Sequence, residues 1–325
     1  MKLQILIPHY KERAEVIEPL LDSLAIQQSV DFSEIGVIIA YDGKEAYDLP
    51  DWSEYPFEVK HIHPEHGGVS ATRNAALDAA TADYVMFCDA DDMFCHVCGL
   101  YIIMQEIEQG FDTLTSLFIE ETRHPETKQT IYINHEIDST FVHGKVHRRQ
   151  YLLDNGIWWN PALTIHEDSF FNILCRELAK EDRAKYCPTP FYLWKWRDDS
   201  VCRHDPDYIL KTYNNMFDSN DALVGEFEKR GVEDKARFYV GFMIMDAYYT
   251  MNKKEWIDKT HAHYRADVEK RFSSYYSKHR AKWDALTEQE KMIISNGIRT
   301  RSVGEGMPME SLTINQWLEH IETEV

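Results

Sequence analysis

The sequence lacks the features that mark membrane proteins and disulfide-rich secreted proteins. Its first apolar run, "LQILIP", is far shorter than a signal-peptide core, and no later run approaches the roughly 20 residues of a membrane span. Its 6 cysteines are scattered too sparsely for a disulfide scaffold. Cys95 and Cys98 form one CxxC pair, but a structural zinc site needs about four ligands and no second pair follows. We therefore expect a soluble, cytoplasmic protein with buried thiols.

The usual backbone cradles for phosphate groups are also missing. Neither a GxxxxGK[ST] loop nor a GxGxxG turn occurs, so any bound phosphate must be neutralised in another way. The net charge is −20, from 35 Lys and Arg against 55 Asp and Glu. This balance argues against a wholly basic surface for nucleic acid or anionic membrane, although a local basic patch is compatible with it.

Apolar runs alternate with helical patterns in the first 90 residues. Four such runs predict strands: "LQILI", "IGVIIA", "FEVKHI" and "YVMF". Between them lie a helical pattern built on Ile17, Leu20, Leu21 and Leu24 and an alanine-rich helix predicted from about Ser70 to Thr81. The alternation predicts an α/β fold with a mainly parallel sheet. Beyond Pro206 the pattern becomes almost wholly helical, so we place a domain boundary between residues 204 and 205.

Three aspartates follow the fourth predicted strand, in "YVMFCDADD". Asp89, Asp91 and Asp92 lie where ligands bind in such sheets, beyond the carboxyl ends of the strands. Close carboxylates repel one another and resist burial, so they need a cation, hydrogen-bond donors or water. Carboxylates on a tight turn suit Mg²⁺ or Mn²⁺, which can bridge them to a diphosphate. The alternative is a solvated acidic turn that caps the next helix.

The order of the motifs resembles that of the family 2 glycosyltransferases of the GT-A fold. The motifs are "LQILIPHY", "VIIAYDG", "GGVSATRNAALDAATADYVMFCDADD", "HGKVHRR" and "HEDSFF". The resemblance covers residues 1–204 and is most specific from Gly67 to Asp92. It implies a Rossmann-like, mixed, mainly parallel sheet flanked by helices, and metal-dependent, inverting transfer of a sugar from a UDP-sugar to a hydroxyl acceptor. Residues 205–325 are expected to form a helical domain that shapes the acceptor site.

The resemblance also implies a donor-binding set. Asp42 would accept from the uracil ring, Arg73 would contact the base or the diphosphate, and Asn74 would support the loop. Asp89 would lie near the ribose. The full set expected to bind the donor is Pro8, Tyr10, Glu12, Asp42, Arg73, Asn74, Asp89, Ala90, Lys145 and Arg197.

The metal and catalytic roles are implied in the same way. Asp91 would be the direct metal ligand, with Asp89 and His204 completing the metal set and Asp92 left as a spare carboxylate. In "HEDSFF", Asp168 would be the general base and Glu167 would orient it or the acceptor. Two carboxylates at a helix N-terminus are also a common structural arrangement, favoured by the helix dipole.

The segment "LWKWRDDSVCRH" matches the family's loop that closes over the donor, where Arg197 or Lys195 would meet the diphosphate. Asp198 and Asp199 stand where the family more commonly has glycine after arginine. His66 and the pair Trp158–Trp159 are also expected in the cleft. The tryptophans either stack on a sugar or fill the core.

A basic segment, residues 253–282, lies in the predicted helical domain. It contains nine Lys or Arg against four Asp or Glu, interleaved with Trp256, Tyr264, Phe272, Tyr275 and Tyr276. This mixture suits a polyanionic acceptor such as teichoic acid or DNA with a hydroxymethylated base. The alternative is an amphipathic helix pair with its aromatic residues inward.

Two other functions are compatible with the same patterns. A sugar-nucleotide nucleotidyltransferase would share the fold, but its first loop is usually rich in glycine, and "PHYKERAEV" has none. A non-catalytic nucleic-acid-binding protein would use the basic helices alone. A glycosyltransferase accounts for more of the motifs than either.

Overall fold

The computed structural model describes residues 1–43, 48–136, 138, 140–198, 208–253, 262–304 and 313–324. The chain divides into two compact units, Met1–Arg203 and His204–Val325. The roles assigned to the two predicted domains stay predictions.

The first unit is built around one sheet. Its strands are β1 (Leu3–His9), β2 (Ile35–Tyr41), β3 (Glu58–Ile62), β4 (Tyr84–Phe87), β5 (Met93–Phe94), β6 (Thr113–Arg123), β7 (Thr130–His135), β8 (Lys145–Arg148) and β9 (Ala184–Trp194). Its helices are α1 (Ala14–Ala25), α2 (Gly68–Ala79), α3 (Gly99–Gln109), α4 (Arg149–Asp154) and α5 (Glu167–Leu178), with short 3-10 turns at Phe32–Glu34 and Glu181–Arg183.

The sheet is mixed and mainly parallel. Its strand order is β3-β2-β1-β4-β8-β6-β9-β5, and β7 pairs with β6 outside this path. Strands β1, β2, β3, β4, β6 and β9 run in one direction, while β5, β7 and β8 run against them. This arrangement confirms the predicted fold class.

The core of the first unit follows from the apolar runs. All residues of β2 and β4 are buried, which is the pattern of strands covered on both faces. The apolar face of α1, with Ile17, Leu20, Leu21 and Leu24, is fully buried in the same core. Helix α2 begins at Gly68, two residues before the predicted start, because the Asp42 carboxylate accepts hydrogen bonds from the first N–H groups of the helix.

The described part of the second unit is helical. It contains α6 (Tyr208–Lys229), α7 (Glu233–Met251), α8 (Arg265–Asp284), α9 (Glu288–Gly304) and α10 (Ile314–Glu324), with a 3-10 turn at Ala262–Tyr264. The sequence pattern beyond Pro206 predicts helices near residues 254–272 and 281–295, but in the described part of the chain one helix, α8, runs from Arg265 to Asp284 across the predicted break. A capping box then starts α9: Thr287 N donates to Glu290 Oε2, and Glu290 N donates to Thr287 Oγ1.

The aromatic residues of the basic segment face the interior of the second unit. Phe272, Tyr275 and Tyr276 are buried, and Phe272 stacks on Trp317. The basic residues of α8 pair with carboxylates: Arg265 with Glu269, Arg271 with Asp218, Lys278 with Asp221 and Lys282 with Glu228. Stacking of nucleic-acid bases on these three rings is therefore wrong, and the amphipathic alternative describes α8. Trp256 lies outside the described residues.

Of the helices that the structure describes, none has the length and apolar character needed to cross a membrane. The cytoplasmic location expected from the sequence stays a prediction.

We expect Gly144→Ala to destabilise the first unit more than Gly156→Ala. Both glycines have positive φ, so both substitutions carry backbone strain of about 1 kcal/mol. At Gly144 the added Cβ would also collide with the buried Ser116 Oγ, which donates to Leu117 O at 2.8 Å, whereas Gly156 faces open space. Losing that hydrogen bond adds about 1 kcal/mol. Urea unfolding of the two variants tests this, and equal losses would contradict the packing described at Gly144.

Candidate active site

The predicted site residues lie at the carboxyl edge of the sheet in the first unit. Strands β1, β2, β4 and β9 end at this edge, and β8 begins there because it runs antiparallel to β4. The chain segments that follow these strands therefore come close together, although they are far apart in the sequence. This edge gathers the acidic turn, "HGK" and the segment after β9.

Asp42 joins the end of β2 to the start of α2. Its Oδ1 accepts from Gly67 N at 2.9 Å, Gly68 N at 3.1 Å and His66 Nδ1 at 3.0 Å. These bonds cap the N-terminus of α2, the helix that carries Arg73 and Asn74. The carboxylate predicted to recognise the base thus also fixes the direction of α2.

Tyr10, Glu12 and His66 lie around the end of β1. Tyr10 is 37% exposed and its ring stacks on His66. Glu12 Oε2 accepts from Tyr10 N at 2.9 Å and from His9 Nδ1 at 3.2 Å. Burial alone would raise the pKa of Glu12, but these hydrogen bonds outweigh it and lower the pKa to about 2. Glu12 therefore braces the loop after β1, and Pro8, near the end of β1, is half-buried.

Arg73 is buried between two carboxylates that lie far apart in the sequence. Its Nη2 donates to Asp89 Oδ1 at 2.7 Å and its Nη1 donates to Glu167 Oε1 at 2.9 Å. The guanidinium also lies over the Trp159 ring. Burial would lower the pKa of Arg73, but Asp89 and Glu167 outweigh it and raise it. Its predicted contact with the base or diphosphate stays a prediction, since both terminal nitrogens already bind protein carboxylates.

Asn74 holds the chain at Trp159. Its Nδ2 donates to Trp159 O at 2.8 Å, and its Oδ1 accepts from Trp159 N at 2.9 Å. The Trp159 side chain is buried and stacks on Phe171, so it fills the core. Trp158, in contrast, is 36% exposed.

Each aspartate of the acidic turn has its own partner. Asp89 pairs with Arg73, Asp91 Oδ2 accepts from Arg197 Nη1 at 3.1 Å, and Asp92 accepts from Tyr192 OH at 2.6 Å and from Lys195 N at 2.9 Å. The acidic turn is thus not a solvated helix cap, because each of its three carboxylates is bonded to protein groups. Ala90, between two of these carboxylates, is buried.

The neighbouring charges shift the pKa values within the turn. Burial and Asp89 raise the pKa of Asp91, and Arg197 offsets part of this shift. Burial, together with Asp91 and Asp89, raises the pKa of Asp92 well above its ordinary value.

One group of potential metal ligands converges among the described residues. One ligand atom from each of Asp89, Asp92 and His143 lies within 4.8 Å of the other two. Burial lowers the pKa of His143 to about 3, so the ring is neutral, and its Nδ1 has no hydrogen-bond partner in the described part of the chain. Two carboxylates and an imidazole form a donor set that suits Mn²⁺. The predicted ligand Asp91 lies beside this group, and His204 lies outside the described residues.

The predicted catalytic pair begins α5. His166, just before it, has a left-handed backbone with φ of 62°. Burial and the charge of Glu167 raise the pKa of Asp168 to about 7, although Arg73 and Lys145 offset part of the shift. A carboxyl group with this pKa suits proton transfer near neutral pH.

The Lys145 side chain is buried and does not line an open cleft. It is 2% exposed, and its Nζ donates to His143 O at 3.3 Å and lies 3.9 Å from Asp138 Oδ1. Burial lowers the pKa of Lys145 to about 8. The Lys145 ammonium is enclosed by protein and is not exposed for direct binding of the donor. Its role in binding the donor stays a prediction.

Two site residues were not predicted from the sequence. His143 stands two positions before Lys145 in "HGKVHRR", so a side chain of a metal-ligand type was present in the motif. Tyr192 lies within the apolar pattern of β9, where nothing in the sequence separates a core tyrosine from one bonded to Asp92.

A mixed α/β sheet with an acidic turn and a helix-borne Glu-Asp pair at its carboxyl edge places the first unit in the GT-A class. Residues 4–152 match the model of glycosyl transferase family 2. Most of the first unit is therefore similar to a glycosyl transferase family 2 domain, which confirms the predicted resemblance and the predicted fold class.

Two curated relatives are similar in sequence. Poly(ribitol-phosphate) beta-N-acetylglucosaminyltransferase TarS of Staphylococcus aureus is 26% identical over 211 residues, which cover 58% of this chain and 36% of TarS. The uncharacterized glycosyltransferase EpsJ of Bacillus subtilis is 23% identical over 221 residues, covering 61% of this chain and 62% of EpsJ. The match thus spans only about a third of the length of TarS.

Solved structures show the same fold at low identity. TarS residues 1–349 in complex with UDP align with a TM-score of 0.58 and 17% identity over 94% of this chain and 92% of that one. The mannosyltransferase PcManGT from Pyrobaculum calidifontis, in complex with GDP-Man and Mn²⁺, aligns with a TM-score of 0.50 and 14% identity over 94% of this chain and 84% of that one.

We expect Arg73→Ala to lower the free energy of unfolding of the first unit by about 2 to 4 kcal/mol. The change removes the cation from Glu167, which is largely buried, and from Asp89, which is partly exposed, and it leaves both charges unpaired. Arg176→Ala is the matched control, because Arg176 is 41% exposed and pairs with the adjacent Glu177, and it should cost less than about 1 kcal/mol. Urea unfolding measures both, and similar losses would mean that Arg73 is not the central link.

Proposed function

We propose that the protein is a metal-dependent, inverting glycosyltransferase that moves a sugar from a UDP-sugar to a hydroxyl acceptor. The observation that carries this proposal is the position of Arg73, which binds Asp89 of the acidic turn and Glu167 beside Asp168. One guanidinium therefore brings the proposed donor side and the proposed base within a single site. The solved structures of TarS with UDP and with UDP-GlcNAc support a nucleotide-sugar donor in this fold.

The donor end of the proposed site lies between β1 and β2. Tyr10 presents an exposed ring on which a base can stack, and Asp42 is the proposed acceptor for the uracil imide. Since Asp42 Oδ1 already takes three donors, Oδ2 is the oxygen that we assign to the base. Pro8 and Glu12 shape this region without a reacting role, and Asn74 and Ala90 are proposed to support the donor site from α2 and from the acidic turn.

Asp89 and Asp91 are the residues that we assign to the divalent cation, with His204 as a further proposed ligand. Their side chains are 33% and 30% exposed, so both carboxylates are partly accessible to a cation and to a diphosphate. The bound ion would supply charge neutralisation to the diphosphate leaving group. Arg197, now on Asp91, is the proposed contact for the same diphosphate.

Asp168 is the proposed general base. Its carboxylate would take the proton of the acceptor hydroxyl while the hydroxyl oxygen bonds to the anomeric carbon. The bond from that carbon to the diphosphate oxygen breaks, and UDP leaves with its electron pair. One displacement from the opposite face inverts the configuration, in contrast to the covalent route of retaining hydrolases.

Among acceptors, a polyol-phosphate polymer is better supported than DNA. TarS is named for transfer to poly(ribitol-phosphate), and this chain resembles part of it. A DNA acceptor loses the support that the sequence suggested, because the aromatic rings of α8 are buried. Saccharides with free hydroxyl groups are simpler acceptors to test. No observation on the described residues favours the nucleotidyltransferase or the nucleic-acid-binding function.

We expect release of UDP from at least one UDP-sugar in the presence of Mn²⁺, with or without an added acceptor. Asp91→Asn should lower kcat by about 100-fold or more, because it removes a charged ligand of the cation that would stabilise the developing charge on the diphosphate leaving group. Asp78→Asn, which changes an exposed carboxylate on α2, is the matched control and should leave turnover unchanged. No UDP release from any donor, or full activity of Asp91→Asn, would contradict the proposal.

We also expect kcat/KM for the acceptor to fall as the pH decreases through about 7. The pKa of Asp168 is raised to about 7, so below that pH the carboxyl is protonated and cannot take the proton of the acceptor. Activity should therefore rise with pH and level off above this value. Asp168→Asn should lose about 100-fold or more, and its residual rate should lack this pH dependence. An inflection that persists in Asp168→Asn would assign it to another group.

A further inference from the structure

We propose that Asp92 is a positioning residue rather than a metal ligand. It ties the acidic turn to the end of β9 and thereby sets Arg197 beside Asp91. The inference rests on the proposed function, and it assigns a role to the one aspartate of the turn that the family resemblance left spare.

The first tie runs through Tyr192, a fully buried residue of β9. Its hydroxyl donates to Asp92 Oδ2 at 2.6 Å and accepts from Asp89 N at 3.2 Å. One phenol oxygen thus contacts both ends of the Asp89–Asp92 turn. The backbone supports this contact, because β5 follows the turn directly and Phe94 pairs with Tyr192 in the sheet.

The second tie runs to the segment that follows β9. Asp92 Oδ1 accepts from Lys195 N at 2.9 Å, and two residues later Arg197 Nη1 donates to Asp91 Oδ2 at 3.1 Å. The neighbouring carboxylates Asp91 and Asp92 therefore hold residues 197 and 195 respectively. Because Lys195 is anchored through its backbone, the anchor restricts where the Arg197 side chain can reach.

The burial of Asp92 argues against a role in binding the catalytic cation. Asp92 is 0% exposed and His143 is 3% exposed, and both Asp92 oxygens already accept hydrogen bonds. A Mg²⁺ or Mn²⁺ ion that serves a diphosphate keeps open positions for water and phosphate oxygens. The partly exposed Asp89 and Asp91 offer such positions, and the enclosed side of the turn does not.

A double-mutant cycle between Tyr192→Phe and Arg197→Ala tests the positioning role. If Asp92 acts through Arg197, Tyr192→Phe should raise the KM for the donor and lower kcat/KM by about 10-fold in the wild type, but by less than about 2-fold in Arg197→Ala. Tyr151→Phe is the matched control, because it removes another buried hydroxyl, bonded to Cys175 O at 2.7 Å, away from the acidic turn. It should lower stability without changing kinetics. Losses that multiply in the double variant would overturn the proposal.

Binding of Mn²⁺ separates a positioning residue from a ligand. Asp92→Asn retains an acceptor for Lys195 N and should keep the affinity for Mn²⁺, measured by electron paramagnetic resonance with UDP present, within about 3-fold, while Asp91→Asn should lose more than about 10-fold. Equal losses in the two variants would make Asp92 a ligand and overturn the inference. Failure of the wild type to bind Mn²⁺ and UDP would count against the proposed function instead.

Amide exchange provides a test that needs no substrate. The Lys195 amide donates to Asp92, so Asp92→Ala should speed its hydrogen exchange by about 10-fold while exchange in β1 is unchanged. Unchanged exchange at Lys195 would overturn the inference even if no sugar donor is turned over.

Discussion

The site depends on the buried guanidinium of Arg73, held between Asp89 and Glu167. A buried cation is costly unless charged partners replace its lost hydration, and here two carboxylates bind it at 2.7 and 2.9 Å while an indole ring covers its face. The three charged residues come from α2, the turn after β4 and the start of α5. The pairing therefore fixes the direction of a helix, a turn and a second helix at one point, and Asp42 supports it by capping α2.

The acidic turn tolerates three carboxylates because each is bonded to a different set of protein groups. Asp89 pairs with a buried arginine, Asp91 pairs with an arginine on a partly exposed segment, and Asp92 accepts from two neutral donors, a phenol and a backbone N–H. Interaction with the fixed guanidinium is strong, whereas a partly exposed ion pair is worth little and exchanges readily. Asp91 is therefore the carboxylate whose partner is most easily replaced by a cation, and Asp92 is the one whose partners are least accessible.

Much of the first unit was predictable, because its signals are local. Continuous apolar runs mark strands that are covered on both faces, and the quoted motifs placed the acidic turn and the Glu-Asp pair at strand and helix ends. The partners of these groups were not predictable. Arg73 and Glu167 are 94 positions apart, and Tyr192 and Asp92 are 100 apart, so only the strand order brings them together. In the basic segment, composition showed aromatic residues and charges but not which side of α8 carries each.

The same arginine also bears on the proposed base. Glu167 raises the pKa of its neighbour Asp168, and Arg73, which binds Glu167, lowers it in part. Burial contributes the largest share of the upward shift, and the Ser169 N–H and Lys145 also lower the pKa in part. A carboxyl group left in water would keep an ordinary, low pKa and accept a hydroxyl proton poorly. The Arg73–Glu167 ion pair that assembles the site thus also helps to set the pKa of the proposed base, Asp168, near 7. This links the architecture of the first unit to its proposed chemistry.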